Sequence, residues 1–392
     1  MLNLPLSPWP VFDEEQVAAA ADVLRSGKVN YWTGSEGREF EREFAAFCGT
    51  NHAVAVANGT LALDLALQGC GIGPGDEVIV PPRTFIASVS CVVNAGATPV
   101  FADVDPDSGN ISPETIAAVV TDRTRAIIPV HLAGWPCDMP RIVSMAEQHD
   151  FVVIEDCAQA HGARIDGRSV GSFGKAGAWS FCQDKIMTTG GEGGMVTCND
   201  ETLWNRMWSY KDHGKSWDAV YNRDHPPGFR WLHESFGTNW RMLEIQAALG
   251  RVQLRRMSEW HDRRRAIAMR YVDALNGLPH AVRVPLPGAG FEHAFYRLYA
   301  FVETEGLKEG WTRDRIVGEA TDRGAPIFHG SCSEVYLEHA FADTQWRPVD
   351  RLPNAARLGE TSLMFLTHPN LTDEEVDRIA ETVRDVISEA SA

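Results

Sequence analysis

Two residues in this chain could do carbonyl chemistry together. Asp156 closes the apolar run Phe151-Val-Val-Ile-Glu-Asp156, and about 30 residues later Lys185 follows a second such run ending at Ser180-Phe181. A lysine and a carboxylate at the ends of two core strands suit pyridoxal phosphate. The lysine forms the Schiff base, and the aspartate holds the protonated pyridine nitrogen. Each residue also has a plainer reading. A lysine past a strand usually marks the chain's return to solvent, and an aspartate there can equally cap the next helix. The neighbourhood of Lys185 points beyond that. Ser180 can donate to a phosphate oxygen, and Thr188-Thr189-Gly190-Gly191-Glu192-Gly193-Gly194 implies a backbone shaped around something.

Three further segments carry polar groups at matching places. Asn58-Gly59-Thr60 ends an apolar run and opens a helix-like one. The free N–H groups of a helix start attract phosphate, although Asn-Gly also serves ordinary turns. Gln159 and His161 follow Asp156 in a loop, as ligand contacts or as ordinary hydrogen-bonding residues. Gly237-Thr-Asn239-Trp-Arg241 gathers polar groups at the mouth of a long helix, where Asn239 can equally be an N-cap.

An open parallel sheet would position these groups, because its ligands lie at the carboxyl ends of its strands. Short apolar runs at 53–57, 77–80, 99–103, 126–130, 151–156, 177–181 and 194–198 predict that sheet. They alternate with helix-like stretches such as 13–26 and 60–70. Residues 242–276 read as one long helix or a helix pair. It carries Arg255, Arg256, Arg263, Arg264 and Arg265, a run that reads as a solvated face. The Gly- and Pro-rich stretch 277–290 reads as a linker. A strand at 296–302, a helix at 312–323 and an amphipathic helix at 372–388, opened by Thr372 and an acidic first turn, follow it. A chain of 392 residues divides by default into two domains. Residues 1–250 read as a large α/β cofactor-binding domain, and 251–392 as a connecting helix with a smaller α+β domain.

The composition excludes several classes. With 36 basic and 53 acidic residues the formal charge is −17, which disfavours nucleic acid or an anionic membrane as partner. No run approaches the ~18 apolar residues of a membrane span, and the first ten residues lack the pattern of a signal peptide. Cys91 and Cys157 lie in apolar stretches, and the eight cysteines include no C-x-x-C pair, as expected of free thiols in a reducing cytoplasm.

Together these motifs resemble the DegT/DnrJ/StrS family of aminotransferases. The likeness extends to Gly75-Asp-Glu-Val-Ile-Val-Pro, Thr84-Phe85, Pro99-Val-Phe-Ala-Asp-Val-Asp105, Pro129-Val-His131, Leu352-Pro-Asn-Ala and Leu366-Thr-His-Pro369, over nearly the whole chain. The resemblance implies fold type I of the pyridoxal-phosphate enzymes, an α/β fold. It has a seven-stranded, mostly parallel sheet flanked by helices, plus a smaller C-terminal α+β domain. It implies a ping-pong transfer of an amino group from glutamate or glutamine to the keto group of a nucleotide-linked sugar, in polysaccharide or natural-product biosynthesis. A glutamine-dependent ketocyclitol or amino-shikimate type transaminase is the alternative within the family. A non-catalytic cofactor-binding regulator is a second, against which the net charge and the lack of an added domain count.

By the same resemblance Lys185 is the Schiff-base lysine and proton shuttle, and Asp156 the partner of the ring nitrogen. Gln159 lies near the ring, Phe85 stacks on it, and Gly59, Thr60 and Ser180 bind the phosphate. Asn239 and Arg241 reach that phosphate from a neighbouring subunit, which implies a homodimer with shared active sites and no metal. Relatives that dehydrate sugars carry histidine where this chain has Lys185, so the lysine favours amino transfer. Tyr31, Trp32, Arg83 and His329, in loops, are the residues expected at the substrate. The chain departs from the common family form in one respect: both Gly190 and Gly191 precede Glu192, where one glycine is usual.

Overall fold

The computed structural model describes residues 6–278 and 280–392. Residues 1–5 of the N-terminal segment, and residue 279 within 277–290, lie outside the described residues. Seven strands form the main sheet: β1 (His52–Val56), β2 (Glu77–Val80), β3 (Thr98–Phe101), β4 (Thr124–Ile127), β5 (Val152–Asp156), β6 (Ala176–Ser180) and β7 (Gly194–Cys198). Their spatial order is β1-β7-β6-β5-β4-β2-β3. All neighbours are parallel except β7, which runs against both β1 and β6. Every residue of β2, β6 and β7 is buried, as helices on both faces require. The seven strands read from the sequence are these seven, with ends moved by at most three residues.

Because β5 and β6 are parallel, their carboxyl ends open on one edge, with Asp156 paired to Ala178 and Ser180 two residues beyond. The helix α1 (Gly59–Cys70) points its N-terminus at the same edge. Asn58 caps it by accepting from the Leu61 N–H at 3.0 Å.

A smaller three-stranded sheet follows, ordered β8 (Val282–Arg283), β9 (Arg297–Val302) and β10 (Ser362–Leu366). The terminal helix α4 (Asp373–Ala390) covers it. Val376, Ile379, Val383, Val386 and Ile387 recur at helical spacing and pack with Leu298, Ala300 and Phe365. The stretch expected as a helix or helix pair is a pair, α2 (Glu244–Arg255) and α3 (Met257–Leu275), joined at Arg256. Among the described residues, no helix is long and apolar enough to cross a membrane.

One expectation about α3 is corrected. Arg255 and Arg256 pair with Glu15, and Arg263 pairs with Asp373. Arg264 does not belong to a solvated face. It is fully buried on the side that also carries Ile267, Ala268 and Tyr271, with its guanidinium stacked 5.2 Å from the Trp9 ring. Burial lowers its pKa to about 9.

Candidate active site

A cavity of about 770 Å³ opens between the carboxyl edge of the main sheet and the smaller unit. Its walls bring together Gly59, Thr60, Phe85, Asp156, Gln159, Ser180 and Lys185, residues up to 126 positions apart in the chain. Thr84 of the Thr84-Phe85 motif lines it too, and Ser88, Asp184, Tyr296 and Arg297, to which the sequence assigned no role, complete it.

Asp156 is held from two sides. Ser88 Oγ donates to its Oδ2 at 2.7 Å, and the Ala158 N–H donates to Oδ1 at 3.1 Å. Thr84 Oγ1 stands 2.7 Å from Ser88 Oγ and so continues the chain of hydroxyls. Ser88 lies in the first turn of the helix Ala87–Asn94, three residues past Phe85, and Thr84 lies in the bend before that helix. Among the described residues no lysine, arginine or histidine pairs with Asp156. A carboxylate only 6% exposed, aimed at a cavity without a cationic partner, fits a ring N–H⁺.

Lys185 sits on a turn whose N–H donates to the Cys182 carbonyl, and its own carbonyl accepts from Trp9 Nε1 at 2.9 Å. Its Nζ lies 5.2 Å from the centre of the Tyr296 ring. The Tyr296 hydroxyl donates to the carboxylate of Asp184. Burial works against ionisation of that carboxylate, but Lys185, the Tyr296 hydroxyl and Arg297 outweigh it and hold its pKa below the usual range.

The phosphate-binding candidates converge closely. A Cβ at Gly59 would lie 2.5 Å from Ser180 Cβ, so only glycine lets the start of α1 approach the end of β6. The doubled glycine also has a geometric account. Gly190 and Gly191 have φ of 84° and 114°, and the Gly191 N–H donates to Thr188 Oγ1 at 3.1 Å. Gly191 also bridges to Cys182, which returns the loop to the base of Lys185 and sets Glu192 in the cavity wall.

The structure does not bring six of the expected residues into this chain's cavity. Arg83 is 1% exposed, and its guanidinium donates to Ser333 Oγ at 2.7 Å and Ser362 Oγ at 2.8 Å, over the Tyr299 ring. It ties the main sheet to the smaller unit, with both Nη groups committed and Nε buried without a partner among the described residues. Tyr31 is buried, with its hydroxyl on Glu41 at 3.0 Å and Lys211 over its ring. Trp32 packs on Trp208 and under Lys215. His329 is exposed beside Asp314 at 3.3 Å, next to the cavity residues Gly330–Cys332 but outside them. Asn239 is exposed and Arg241 pairs with the buried Asp212, both away from the cavity.

His131, Glu155 and Cys157 group three metal-ligand types in the core, behind Asp156. Their atoms are committed elsewhere. Glu155 accepts from the N–H groups of Gly171, Phe173 and Gly174 at 2.7–2.8 Å, and His131 Nδ1 accepts from the Cys137 N–H. That bond leaves the His131 proton on Nε2, 3.1 Å from Glu155, so the cluster buttresses the strand.

A strand-end lysine, a fixed carboxylate and a helix start surround one cavity, an arrangement suited to amino-group chemistry, and the whole chain is similar to known proteins. The model of the DegT/DnrJ/EryC1/StrS aminotransferase family matches residues 10–384. The chain belongs to that family. It is an aminotransferase. It is 39% identical to a GDP-perosamine synthase of Caulobacter vibrioides, over 96% of this chain and 99% of that one. It is 37% identical to a dTDP-3-amino-3,4,6-trideoxy-alpha-D-glucose transaminase of Streptomyces venezuelae, over 95% of this chain and 92% of that one. The solved structure of an aminotransferase from Psychrobacter cryohalolentis superposes with a TM-score of 0.97 at 58% identity. The match covers 98% of this chain and all of that one.

Proposed function

We propose that this aminotransferase uses pyridoxal phosphate to move an amino group from glutamate or glutamine to the keto group of a nucleotide-linked sugar. The observation that carries the reading is the convergence of Lys185, Asp156, Gly59 and Ser180 on one cavity. The two curated relatives described above act on GDP- and dTDP-linked sugars by name, which supports the acceptor class and leaves the nucleotide open.

When bound, the cofactor supplies a reactive carbonyl and an electron sink. The chain's own residues supply the rest. The N–H groups at the start of α1 and Ser180 Oγ bind the phosphate, and Phe85, 66% exposed in the cavity wall, covers a ring face. Asp156, aimed by Ser88 and the Ala158 N–H, keeps the proton on the ring nitrogen. Lys185 Nζ takes the proton from the amino-bearing carbon of the donor and returns one to the carbon that receives the amino group. Over a full cycle glutamate becomes 2-oxoglutarate and the carbonyl oxygen of the sugar is replaced by an amine.

We further propose that two copies pair with shared sites in the cytoplasm, Asn239 of each reaching the other's cavity. The exposed Phe229, Trp231, Phe236 and Leu243 flank Asn239 and give such a pairing its apolar surface. Mixing two inactive variants, Lys185→Ala and Asn239→Lys, should then restore about a quarter of the activity through hybrid dimers; no recovery would refute the shared site. The amino transfer is tested by adding glutamate or glutamine to the cofactor-loaded protein, then a panel of GDP-, dTDP- and UDP-linked keto sugars. The cofactor's absorption band should shift with the donor and return with an acceptor. A band that answers neither donor would overturn the reading.

A further inference from the structure

We infer that Arg297 is the residue that binds a carboxylate of the amino donor. The inference rests on the amino-transfer reading above and deepens it. Among the described residues that line the cavity, the only lysine, arginine or histidine side chains are Lys185 and Arg297. Lys185 is the reacting amine, so Arg297 is the one cation that this chain's own lining leaves for a substrate anion. The acidic side chains there, Asp156, Asp184, Glu192 and Glu338, would repel a carboxylate.

The geometry suits the task. Arg297 opens β9, and its guanidinium lies 4.2 Å from the centre of the Tyr296 ring, to which Lys185 Nζ is 5.2 Å. The two cations are therefore within about 10 Å, a span that an amino acid can bridge from its nitrogen to a carboxylate. The Nη1 group donates to the Tyr296 carbonyl at 2.9 Å, which fixes the fork's orientation. Nη2 is 3.7 Å from Asp184, beyond hydrogen-bond length, and the Asp184 side chain is 58% exposed. That ion pair is weak, and a bidentate carboxylate would displace it. The cofactor's phosphate does not compete, since Gly59, Thr60 and Ser180 bind it.

The test follows the donor half-reaction alone, by the absorption band of the cofactor-loaded protein against glutamate concentration. Arg297→Met should raise the half-saturating glutamate about 10- to 100-fold, and Arg297→Lys by less, the loss of charge-assisted hydrogen bonds. Cofactor affinity, melting temperature and the half-reaction with a keto sugar should stay near those of the unaltered protein. An unchanged glutamate requirement, or a loss confined to the keto-sugar half, would overturn the assignment; the latter would mean a carboxylate on the sugar. A measurement without mutation guards against misfolding: glutamate with both carboxylates methylated should lose affinity by a similar factor on the unaltered protein. Equal affinity for the ester would also overturn it. Failure of the amino-transfer reading itself would show separately, as an unaltered protein that answers neither glutamate nor glutamine.

Discussion

Gly59→Ala is the sharpest structural perturbation of the cofactor cradle. The added Cβ would stand 2.5 Å from Ser180 Cβ, 2.8 Å from Ser180 Oγ and 3.0 Å from Ser180 Cα, whereas ordinary contact begins at 3.4 Å. A backbone atom is among the neighbours, so a rotamer change cannot relieve the clash. The start of α1 must move from the end of β6 by about 1 Å. Overpacking of this kind costs about 1–3 kcal/mol of stability. The same displacement separates the helix N–H groups from Ser180 Oγ, and a 1 Å error in a positioned site costs up to about 100-fold. Titration of the cofactor-free protein with pyridoxal phosphate, followed by absorbance, should show affinity reduced at least tenfold. Glutamate added at saturating cofactor should still shift the band, because Lys185 and Asp156 lie on other elements. Wild-type affinity in the variant would refute the claim that this contact forms the phosphate site.

Other perturbations have expected outcomes of their own. Ser88→Ala leaves Asp156 Oδ2 without its fixed donor, and the cofactor-free protein should lose about 1–3 kcal/mol, read as a lower denaturant midpoint; no change would deny the role of Ser88. Arg83→Ala truncates a fully buried side chain and should cost about 2–5 kcal/mol in the same assay, with half-saturating donor and acceptor unchanged in the folded fraction. A substrate effect without a stability loss would restore the substrate reading of Arg83. Burial lowers the pKa of His161, His293 and His368 to about 3 each. An unfolded histidine titrates near 6.5, so the unfolded chain binds more protons between those values. Stability is therefore complete above pH 6.5 and should fall by roughly 1 kcal/mol per histidine at pH 5.5. His161→Leu, in its cage of Phe44, Trp179 and Phe181, should flatten that slope, and an unchanged slope would contradict it.

The sheet was legible because each strand is a short apolar run between turn residues, and parallel strands buried on both faces leave that mark. The convergence of Gly59, Asp156, Ser180 and Lys185 on one cavity was legible because each stands at a strand or helix end on the same edge of the sheet. What escaped depends on packing between distant segments. Arg83 looks like a loop cation until Ser333 and Ser362, at least 250 positions away, are placed around it. Tyr31 looks like a surface ring until Glu41 and Trp208 take its hydroxyl. Arg297 and Tyr296 reach the cavity only because β9 belongs to the second unit that closes over the sheet. Arg264 was within reach: Ile267, Ala268 and Tyr271 share its helical face and mark that side as buried.

The central claim is that Lys185 carries the cofactor and releases it to the donor. Borohydride reduction of the cofactor-loaded protein, followed by peptide mass mapping, reads this directly. The account expects the cofactor's mass on the peptide containing Lys185, and its loss when glutamate is added before the reductant. A label on another lysine, such as Lys211 or Lys215, or a Lys185 label that survives both glutamate and glutamine, would contradict it.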